Sequence, residues 1–318
     1  MKKRAVPGAL SLGLLAVSFP LYLLRPDWAA AFTLLPALAW FVFGLILALP
    51  GVRSRVSWVA LAGWLMFGIV YVEGFRSGLR LGYRISDRER APGTHLRVVS
   101  LNCAGGLREA AAEVSAYAPD IVLFQETPSK MDLQDLARSM FQGKRGVAFG
   151  PDGSIVVRGE LEPIDLPRQA SNFVMAFLKV DGREIQLVSL RLMPPVGRVD
   201  LWNPECWRAQ TENRLARREE LKEILRFVRS HRRRGAQLVM GGDFNAVAGD
   251  PAIAPMNFLR DSFDEAGRGW PDTAVNDYPF ARIDRIYVSE GLTVLASSVQ
   301  RTQHSDHRML VVDLAFTR

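Results

Sequence analysis

Three long apolar segments dominate the first 75 residues, at about 6–24, 28–49 and 56–72. Each is close to the roughly 20 residues that a helix needs to cross a bilayer, and the third is at the short limit. A basic start followed by an apolar core is also typical of a signal peptide. No clear small-residue cleavage site follows, however, and two further apolar segments do. We therefore predict a three-helix transmembrane anchor in residues 1–75 and an integral membrane protein of the bacterial inner-membrane type.

The charges beside these segments leave the orientation of the anchor open. Lys2, Lys3 and Arg4 favour a cytoplasmic N-terminus, and three spans would then place the rest of the chain outside. An Arg-rich linker at 76–94 follows the third segment, and the positive-inside rule favours its retention in the cytoplasm. Because the first helix usually dominates, we predict an extracytoplasmic C-terminal domain. The arginines of the linker are then either solvated or lie against anionic headgroups.

The formal net charge of +7 is concentrated in this N-terminal part. Six basic and two acidic residues give residues 1–75 a charge of +4, so the rest of the chain carries only +3. Such a mild excess gives little support to nucleic-acid binding. The two cysteines, Cys103 and Cys206, can pair or stay free, and two cysteines do not identify a redox compartment.

From residue 95 onward, short apolar runs alternate with helical patterns, which predicts one α/β (α+β) domain over 95–318. Strands are predicted at 96–101, 120–126, 154–157, 173–180, 184–192, 237–240, 282–288 and 309–315. Asp181 and Gly182 form a hairpin signal between two of them. Helices are predicted at 107–117 and 211–233, and the second has an apolar stripe with charged residues elsewhere.

The motif GGDFNA at 241–246 follows the apolar strand predicted at 237–240. Its two glycines allow a sharp turn, and Asp243 and Asn245 then project from the same side of the extended chain. This pair suits phosphate chemistry, because a carboxylate can orient a water or hold a cation and an amide can donate to a phosphoryl oxygen. The alternative is an ordinary turn with an Asx hydrogen bond.

Further polar residues stand at the ends of predicted strands, where α/β architectures place their ligands. They are Asn102, Glu126, Asp243 with Asn245, Asp284, and the pair Asp306 and His307. Taken singly, each has an ordinary explanation, such as a turn cap for Asn102, a helix cap for Glu126 or an ion pair for Asp284. Five apolar strands that all end in such residues are hard to obtain by chance.

Five motifs in order resemble those of the endonuclease/exonuclease/phosphatase family, a superfamily that includes DNase I-like nucleases, apurinic endonucleases, inositol-polyphosphate phosphatases and sphingomyelinases. The motifs are SLN at 100–102, PDIVLFQET at 119–127, GGDFNA at 241–246, RIDRIYVS at 282–289 and SDHRMLVVDL at 305–314. The resemblance covers residues 95–318. It implies a four-layer sandwich, in which two mixed β-sheets are flanked by helices and the site lies at one edge. It also implies hydrolysis of a phosphate ester that depends on Mg²⁺, with Mn²⁺ as the alternative.

The resemblance further implies which residues hold the metal. Glu126 matches the principal metal ligand, with Asn102 and Asp306 near the metal. A hard dication prefers such oxygen ligands and usually keeps several waters.

The remaining motif residues match the catalytic groups of the family. Asp243 would orient or deprotonate the attacking water, and Asn245 would hold a phosphoryl oxygen. His307 would lie against the phosphate, while Asp284 would fix its tautomer and favour the imidazolium form. In-line attack at phosphorus places charge on the nonbridging and leaving oxygens, so a cation and donors must already be in place.

One family feature is missing from the strand predicted at 184–192. The family usually has a His where this chain has Arg191. Arg191 can clamp a phosphate through two N–H groups, but it cannot act as an acid or base near neutral pH. We therefore assign Arg191 to substrate binding and keep a weakly active or inactive enzyme as the alternative.

Three functions follow from these observations. The favoured one is a membrane-anchored, metal-dependent hydrolase of a phosphomonoester or phosphodiester, including lipid-linked ones, because tethering raises the local concentration of the site at such substrates. The others are a membrane-tethered nuclease and a non-catalytic binding protein that retains the fold. The loop at 198–207, with Trp202 and Trp207, either contacts lipid or packs as an ordinary surface loop. No protein partner is predicted.

Overall fold

The computed structural model describes residues 2–52, 54–80, 90–93, 95–167 and 172–317. The α-helices are α1 (Lys2–Leu24), α2 (Ala30–Leu34), α3 (Ala37–Ala48), α4 (Arg55–Tyr71), α5 (Glu73–Gly78), α6 (Arg108–Ala112), α7 (Lys130–Met140), α8 (Pro204–Ser230) and α9 (Ser262–Ala266). The strands are β1 (Leu96–Asn102), β2 (Ile121–Gln125), β3 (Arg145–Phe149), β4 (Gly153–Arg158), β5 (Leu161–Pro163), β6 (Phe173–Val180), β7 (Arg183–Arg191), β8 (Gln237–Asp243), β9 (Arg260–Asp261), β10 (Gly267–Arg268), β11 (Asp284–Val288), β12 (Leu292–Gln300) and β13 (Met309–Phe316). Short 3-10 helices lie at Asp27–Ala29, Leu49–Gly51, Glu113–Tyr117 and Pro251–Met256.

The described strands form two mixed sheets, which confirms the predicted sheet composition. The first sheet has the order β10-β12-β13-β1-β2-β4-β3, with β1 parallel to β2 and antiparallel to β13. The second has the order β5-β6-β7-β8-β11-β9, with β7 parallel to β8 and β8 antiparallel to β11. Residues 181 and 182 both have positive φ and join β6 to β7, as the Asp-Gly hairpin signal predicts.

Apolar side chains fill three layers of core. Leu123 and Ile286 belong to the core between the two sheets. The outer face of the first sheet packs on α6 and α7, where Phe124 contacts Leu133 and its neighbours. The outer face of the second sheet packs on α8, whose Leu225 belongs to that core. Because both faces of each sheet are covered, the central strands are apolar along their whole length.

The second apolar segment, predicted as one span at 28–49, is broken in the structure. Leu35 is extended, with ψ of 133°, and the helices on either side of Pro36 are bent by 68°. Proline has no N–H to donate and disfavours a helical conformation in the residue before it. Of the described helices, one (Ala5–Leu24) is long and apolar enough to cross a membrane, or two if the bent pair counts as one span. Helix α4 is shorter, at 17 residues.

The N-terminal helices pack on one another and on the C-terminal domain. Glu73 in α5 forms an ion pair of 2.6 Å with Arg282, which is fully buried. Of the linker predicted at 76–94, residues 81–89 and 94 lie outside the described residues. Its first part is docked, because Arg80 donates to the carbonyl oxygen of Phe263 at 2.8 Å. The N-terminal helices and the C-terminal domain are therefore joined by direct polar contacts.

Helix α8 is longer than the predicted helix at 211–233. The predicted apolar stripe is buried, but the prediction that the charged residues lie outside the packed face is wrong for Arg214 and Arg217, each only 2% exposed. Arg214 pairs with Asp250 at 3.1 Å and donates to the hydroxyl of Thr33 in α2 at 2.6 Å. The N-terminal segment covers this face of α8, which the periodicity of α8 alone cannot reveal.

Candidate active site

The predicted site residues meet at one edge of the two sheets. Asn102 is the last residue of β1 and pairs with Gln125, so Glu126 follows directly beside it. Asp243 is the last residue of β8 and pairs with Asp284. Asp284, predicted within a strand at 282–288, is the first residue of β11. It still reaches the same edge, because β11 runs antiparallel to β8.

The glycines of the GGDFNA motif have a different role from the predicted turn. Both lie within β8, which continues through Asp243. Gly242 has φ of 143°, and a Cβ there would lie 1.9 Å from the carbonyl oxygen of Leu190. Only glycine allows the backbone of β8 to approach β7 this closely. Gly242 therefore sets the distance between the strands that carry Asp243 and Arg191.

Glu126 is held as a charged carboxylate by hydrogen bonds. Its Oε1 accepts from Asn102 Nδ2 at 3.0 Å, and its Oε2 accepts from the Gly105 N–H at 2.6 Å. Burial favours the neutral acid, but the Asn102 hydrogen bond, the charge of Arg191 and the Gly105 N–H outweigh it and lower the pKa of Glu126. Glu126 thus presents an anionic oxygen pair at the edge of the sheet.

Arg191 ends β7 and points at the same carboxylate. Its Nη2 lies 2.9 Å from Glu126 Oε1, and its Nη1 lies 3.5 Å from Asp152 Oδ2. Its Nε is buried and has no hydrogen-bond partner among the described residues. The guanidinium group is therefore half-buried in the site, with donor capacity to spare.

Asp243 and Asn245 lie in one hydrogen-bonded unit. The Asn245 N–H donates to Asp243 Oδ1 at 2.9 Å, so the Asx hydrogen bond of the alternative interpretation is present. Asn102 Nδ2 lies 3.3 Å from Asp243 Oδ2 and links this unit to Glu126. Burial, together with the charge of Asp284, raises the pKa of Asp243 to about 7. Asp243 can therefore exchange a proton near neutral pH.

His307 and Asp284 form a direct pair, with 2.9 Å between Nδ1 and Oδ2. Burial opposes the charged imidazolium, but the charge of Asp284 and this hydrogen bond outweigh it and raise the pKa of His307 to about 10. The backbone N–H of His307 donates to Ser305 Oγ, which itself donates to the Asn102 carbonyl oxygen at 2.7 Å. His307 is thus fixed in place and protonated at neutral pH.

Asp306 occupies a more peripheral position than the other predicted residues. Its side chain is exposed, and its backbone carbonyl accepts from the Asn276 N–H at 2.7 Å. Its charge contributes to the raised pKa of the neighbouring His307.

The donor set fits a hard divalent cation. Ligand atoms of Asp243, Asp284 and His307 lie within 4.8 Å of one another. Asp284 Oδ1 is buried and has no hydrogen-bond partner among the described residues. A protonated imidazole has no lone pair to give to a metal, so His307 fits a catalytic role better than a ligand role. The carboxylate of Glu126, beside the amide of Asn102, is the better match for Mg²⁺.

Sequence reasoning missed three residues that support the site. Asp152 contacts Arg191, Thr273 Oγ1 accepts from the Asp284 N–H at 3.1 Å, and Ser305 joins His307 to Asn102. Ser305 lies inside the SDH motif and was therefore detectable. Asp152 is part of a Pro-Asp-Gly turn and Thr273 of an irregular segment, and neither position carries a signal beyond that.

Comparisons with known proteins agree with this geometry. A family model described as the Endonuclease/Exonuclease/phosphatase family matches residues 99–307. TDP2 of D. rerio, solved in complex with a single-strand DNA product, has 18% identity and a TM-score of 0.51, over 69% of this chain and 98% of that one. The endonuclease/exonuclease/phosphatase of Bacteroides vulgatus has 17% identity and a TM-score of 0.52, over 70% and 99%. At these identities the two structures show the fold alone. A search of curated proteins found no match.

Proposed function

The chain belongs to the endonuclease/exonuclease/phosphatase family, whose members are generally phosphoester hydrolases, and we propose that it is a membrane-anchored, metal-dependent phosphoester hydrolase. The proposal rests on one observation: residues that can transfer a proton and a charged carboxylate, Glu126, come together at one edge of the two sheets. Asp243, Asp284 and His307 lie within 4.8 Å of one another. Asn102 joins them to Glu126 through its two hydrogen bonds.

Asp243 is the group that activates the attacking water. Its pKa of about 7 allows it to accept a proton at neutral pH, which is the range where general-base catalysis is most effective. His307 supplies an N–H donor for a phosphoryl oxygen. Asn245 supplies a second one when its Nδ2, which donates to the Leu192 carbonyl oxygen at 2.8 Å and to Asp243 Oδ2 at 3.2 Å, exchanges one of these partners for the substrate. Asp284 keeps the His307 ring oriented and positively charged through their 2.9 Å contact. The His307 donor is thus in place before the charge develops.

Glu126 and Asn102 would hold a Mg²⁺ or Mn²⁺ ion, with Asp306 nearby, and the cation would neutralise charge on the phosphate oxygens. Arg191 is the substrate clamp. Its guanidinium group turns from Glu126 to the phosphate when the substrate binds, and its planar fork offers two donors at once.

The N-terminal helices are the membrane anchor in this proposal. Helix α1 contains the candidate span Ala5–Leu24, and the bent pair of helices after it is a second. The catalytic domain is extracytoplasmic, in line with the basic residues at the N-terminus. A lipid-linked phosphate is the favoured substrate, since the anchor holds the site at the bilayer.

The full-length protein in detergent, assayed on a panel of phosphomonoesters and phosphodiesters with Mg²⁺ and with EDTA, tests this function. Glu126→Gln removes only the charged oxygen. We expect it to lower Mg²⁺-stimulated turnover about a hundredfold or more, since metal charge stabilisation is worth several kcal/mol. The matched control is Glu160→Gln, at a solvent-exposed ion pair with Lys144. Unchanged turnover in a folded Glu126→Gln protein rejects the assignment.

Nuclease activity is the second candidate, because a structural relative, TDP2 of D. rerio, holds a single-strand DNA product. The mild charge of the C-terminal domain makes it the less favoured one. A single-stranded oligonucleotide in the same panel decides between nuclease activity and hydrolysis of a lipid-linked phosphate. Absence of hydrolysis of every substrate in the panel, with Mg²⁺ or with Mn²⁺ added, favours the non-catalytic alternative.

A further inference from the structure

Two irregular loops border the site. The first rim loop comprises residues 192–203, between β7 and α8. It begins at the site itself, because the Leu192 carbonyl oxygen accepts from Asn245 Nδ2 at 2.8 Å and the Leu192 N–H donates to the Asp243 carbonyl oxygen at 2.9 Å. The chain that leaves the site after Arg191 is therefore this loop.

The second rim loop comprises residues 269–283, directly before β11. Ala274 forms a β-bridge with His307. The Asn276 N–H donates to the carbonyl oxygen of Asp306 at 2.7 Å. This loop therefore borders the site next to the catalytic histidine.

Both rim loops expose large apolar side chains. The exposed apolar residues of the first loop are Met193, Val199 and Trp202, and those of the second are Val275, Tyr278 and Phe280. Trp202 and Tyr278 are 87% and 84% exposed. Single exposed apolar residues are normal on soluble proteins, but a concentration of them around one site marks an interaction surface.

The first rim loop also contacts the candidate membrane span. Leu201 and Trp207, at the start of α8, line an apolar cavity of about 470 Å³ together with Val17 and Leu21 of α1. Trp207 stacks on Trp28, with 6.2 Å between the ring centroids. Helix α1 and this loop thus share one apolar pocket.

The second rim loop meets the same end of the helical bundle. Phe280 lines a cavity together with Leu38 near the start of α3 and Tyr71 at the end of α4. A Cβ on Gly74 would lie 2.5 Å from the ring of Trp270, so α5 packs tightly on this loop. The helix ends that face the catalytic domain are therefore the helix ends beside the active site.

We propose that the two rim loops insert their apolar tips into the membrane leaflet at which the N-terminal helices end. The site then opens onto the bilayer surface, and its substrate is the phosphoester headgroup of a lipid that stays in the bilayer. This inference rests on the proposed membrane anchor and hydrolase activity. Trp and Tyr favour the membrane–water interface, because an apolar ring is buried there while its polar atom stays hydrated.

The charges of the rim favour a lipid over a nucleic acid. A nucleic-acid substrate is held mainly by unpaired Lys and Arg along its backbone. Arg198 in the first rim loop is instead engaged by Asp200 at 2.7 Å and by Glu205 at 3.0 Å. The tips that project furthest are aromatic, as a bilayer interface requires.

Depth measurements on the full-length protein test the insertion directly. Trp202→Cys and Tyr278→Cys are each labelled with an environment-sensitive fluorophore and reconstituted in phosphatidylcholine–phosphatidylglycerol vesicles that contain spin-labelled lipid. Both native cysteines are buried, which keeps background labelling low. Met131→Cys is the matched control, since Met131 is an apolar residue 69% exposed on α7, which packs on the first sheet.

We expect the fluorophores at positions 202 and 278 to show blue-shifted emission and to be quenched by the spin-labelled lipid. The fluorophore at position 131 should show neither change. Equal quenching at all three positions, or none at 202 and 278, overturns the proposal. This result does not depend on catalysis, so it stands apart from the proposed function.

The substrate class is tested by a ratio of two activities, hydrolysis of phospholipid in vesicles divided by hydrolysis of dissolved bis(p-nitrophenyl) phosphate. For the double variant Trp202→Ser/Tyr278→Ser we expect this ratio to fall about tenfold, because the N-terminal helices still hold the protein at the bilayer but the rim loops no longer position the site at the lipid headgroup. Met131→Ser should keep the wild-type ratio. An unchanged ratio in the double variant overturns the lipid assignment. If neither compound is hydrolysed, both the proposed function and the assignment of a lipid substrate are rejected. The depth measurement still shows whether the rim loops insert into the membrane.

Discussion

The Nη2 atom of Arg191 lies 2.9 Å from the Oε1 atom of Glu126. Arg191 occupies the strand position that resembles a histidine position in the family. A permanent positive charge thus contacts Glu126, the carboxylate assigned to metal binding. A guanidinium group cannot transfer a proton at neutral pH, so it contributes charge and hydrogen bonds only. A dication at Glu126 would repel this guanidinium, which favours its movement toward the phosphate.

Substitution of Arg191 tests its role as a clamp. We expect Arg191→Ala to raise KM about tenfold, the equivalent of about 1.4 kcal/mol, and to change kcat less, because ground-state and transition-state binding are lost together. Arg191→Lys should recover only part of the lost substrate binding, since an ammonium group cannot reproduce the planar arrangement of guanidinium donors. Steady-state kinetics measure both constants, with exposed Arg226→Ala on α8 as the control. Wild-type values of KM and kcat in Arg191→Ala would show that Arg191 does not contribute to substrate binding or catalysis.

His307 is the one histidine among the residues assigned to the site, so its loss should be severe. A single well-placed catalytic donor is typically worth about 2.7–4 kcal/mol of the barrier. We expect His307→Ala to lower kcat by roughly two to three orders of magnitude. The control is His231→Ala, because His231 caps the end of α8 and its Nδ1 contacts the Phe227 carbonyl oxygen. Similar kcat values for the two variants would contradict the assignment.

The edge of the sheet was predictable because buried strands are nearly uninterrupted apolar runs. Where such a run stops at Asn102, Glu126 or Asp243, the polar residue marks the strand end without any tertiary information. Strand direction is not encoded in this pattern. Asp284 is the first residue of β11, whereas Asn102 and Asp243 are the last residues of their strands, and its pairing with Asp243 shows why it reaches the same edge.

Tertiary partners could not be predicted from one stretch of sequence. The contact of Arg191 with Asp152 joins two loops that no local pattern relates. Burial of Arg214 depends on coverage of α8 by the N-terminal segment, which lies 181 residues away along the chain. The break at Pro36 is different, because proline chemistry predicts it. The apolar composition of 28–49 outweighed that signal in the sequence interpretation.

The orientation of the anchor is tested with reporter fusions. Lys2, Lys3 and Arg4 predict that alkaline phosphatase fused after Arg90 is active in a bacterial host, because this enzyme works only outside the cytoplasm. GFP at the same position should be dark when exported by the same route. A fluorescent GFP fusion together with a silent phosphatase fusion would place the catalytic domain inside.

The junction between the N-terminal helices and the C-terminal domain is held by a buried cluster of charges, and its stability should depend on pH. Asp261 lies 2.8 Å from Arg282 and 2.7 Å from Arg285, and Arg282 also binds Glu73. Burial disfavours the charge of Asp261, but the two guanidinium groups outweigh it and lower the pKa to about 2. Because the folded-state pKa is the lower one, the stabilisation is present above about pH 4 and is lost as the pH falls to about 2.

Asp261→Asn removes this charge and leaves two buried guanidinium groups less well compensated. We expect it to lower the free energy of unfolding at pH 7 by about 3–5 kcal/mol, as is usual when one partner of a buried ion pair is lost. Between pH 4 and pH 2 the gap between wild type and variant should narrow by about 2 kcal/mol, since about 1.4 kcal/mol corresponds to each unit of pKa shift. Denaturant unfolding in detergent at pH 7, 4 and 2 measures this difference in unfolding free energy, with exposed Glu160→Gln as the control. A gap of constant size at all three pH values would show that the charge of Asp261 does not stabilise the junction, because an uncharged contact would be insensitive to its protonation.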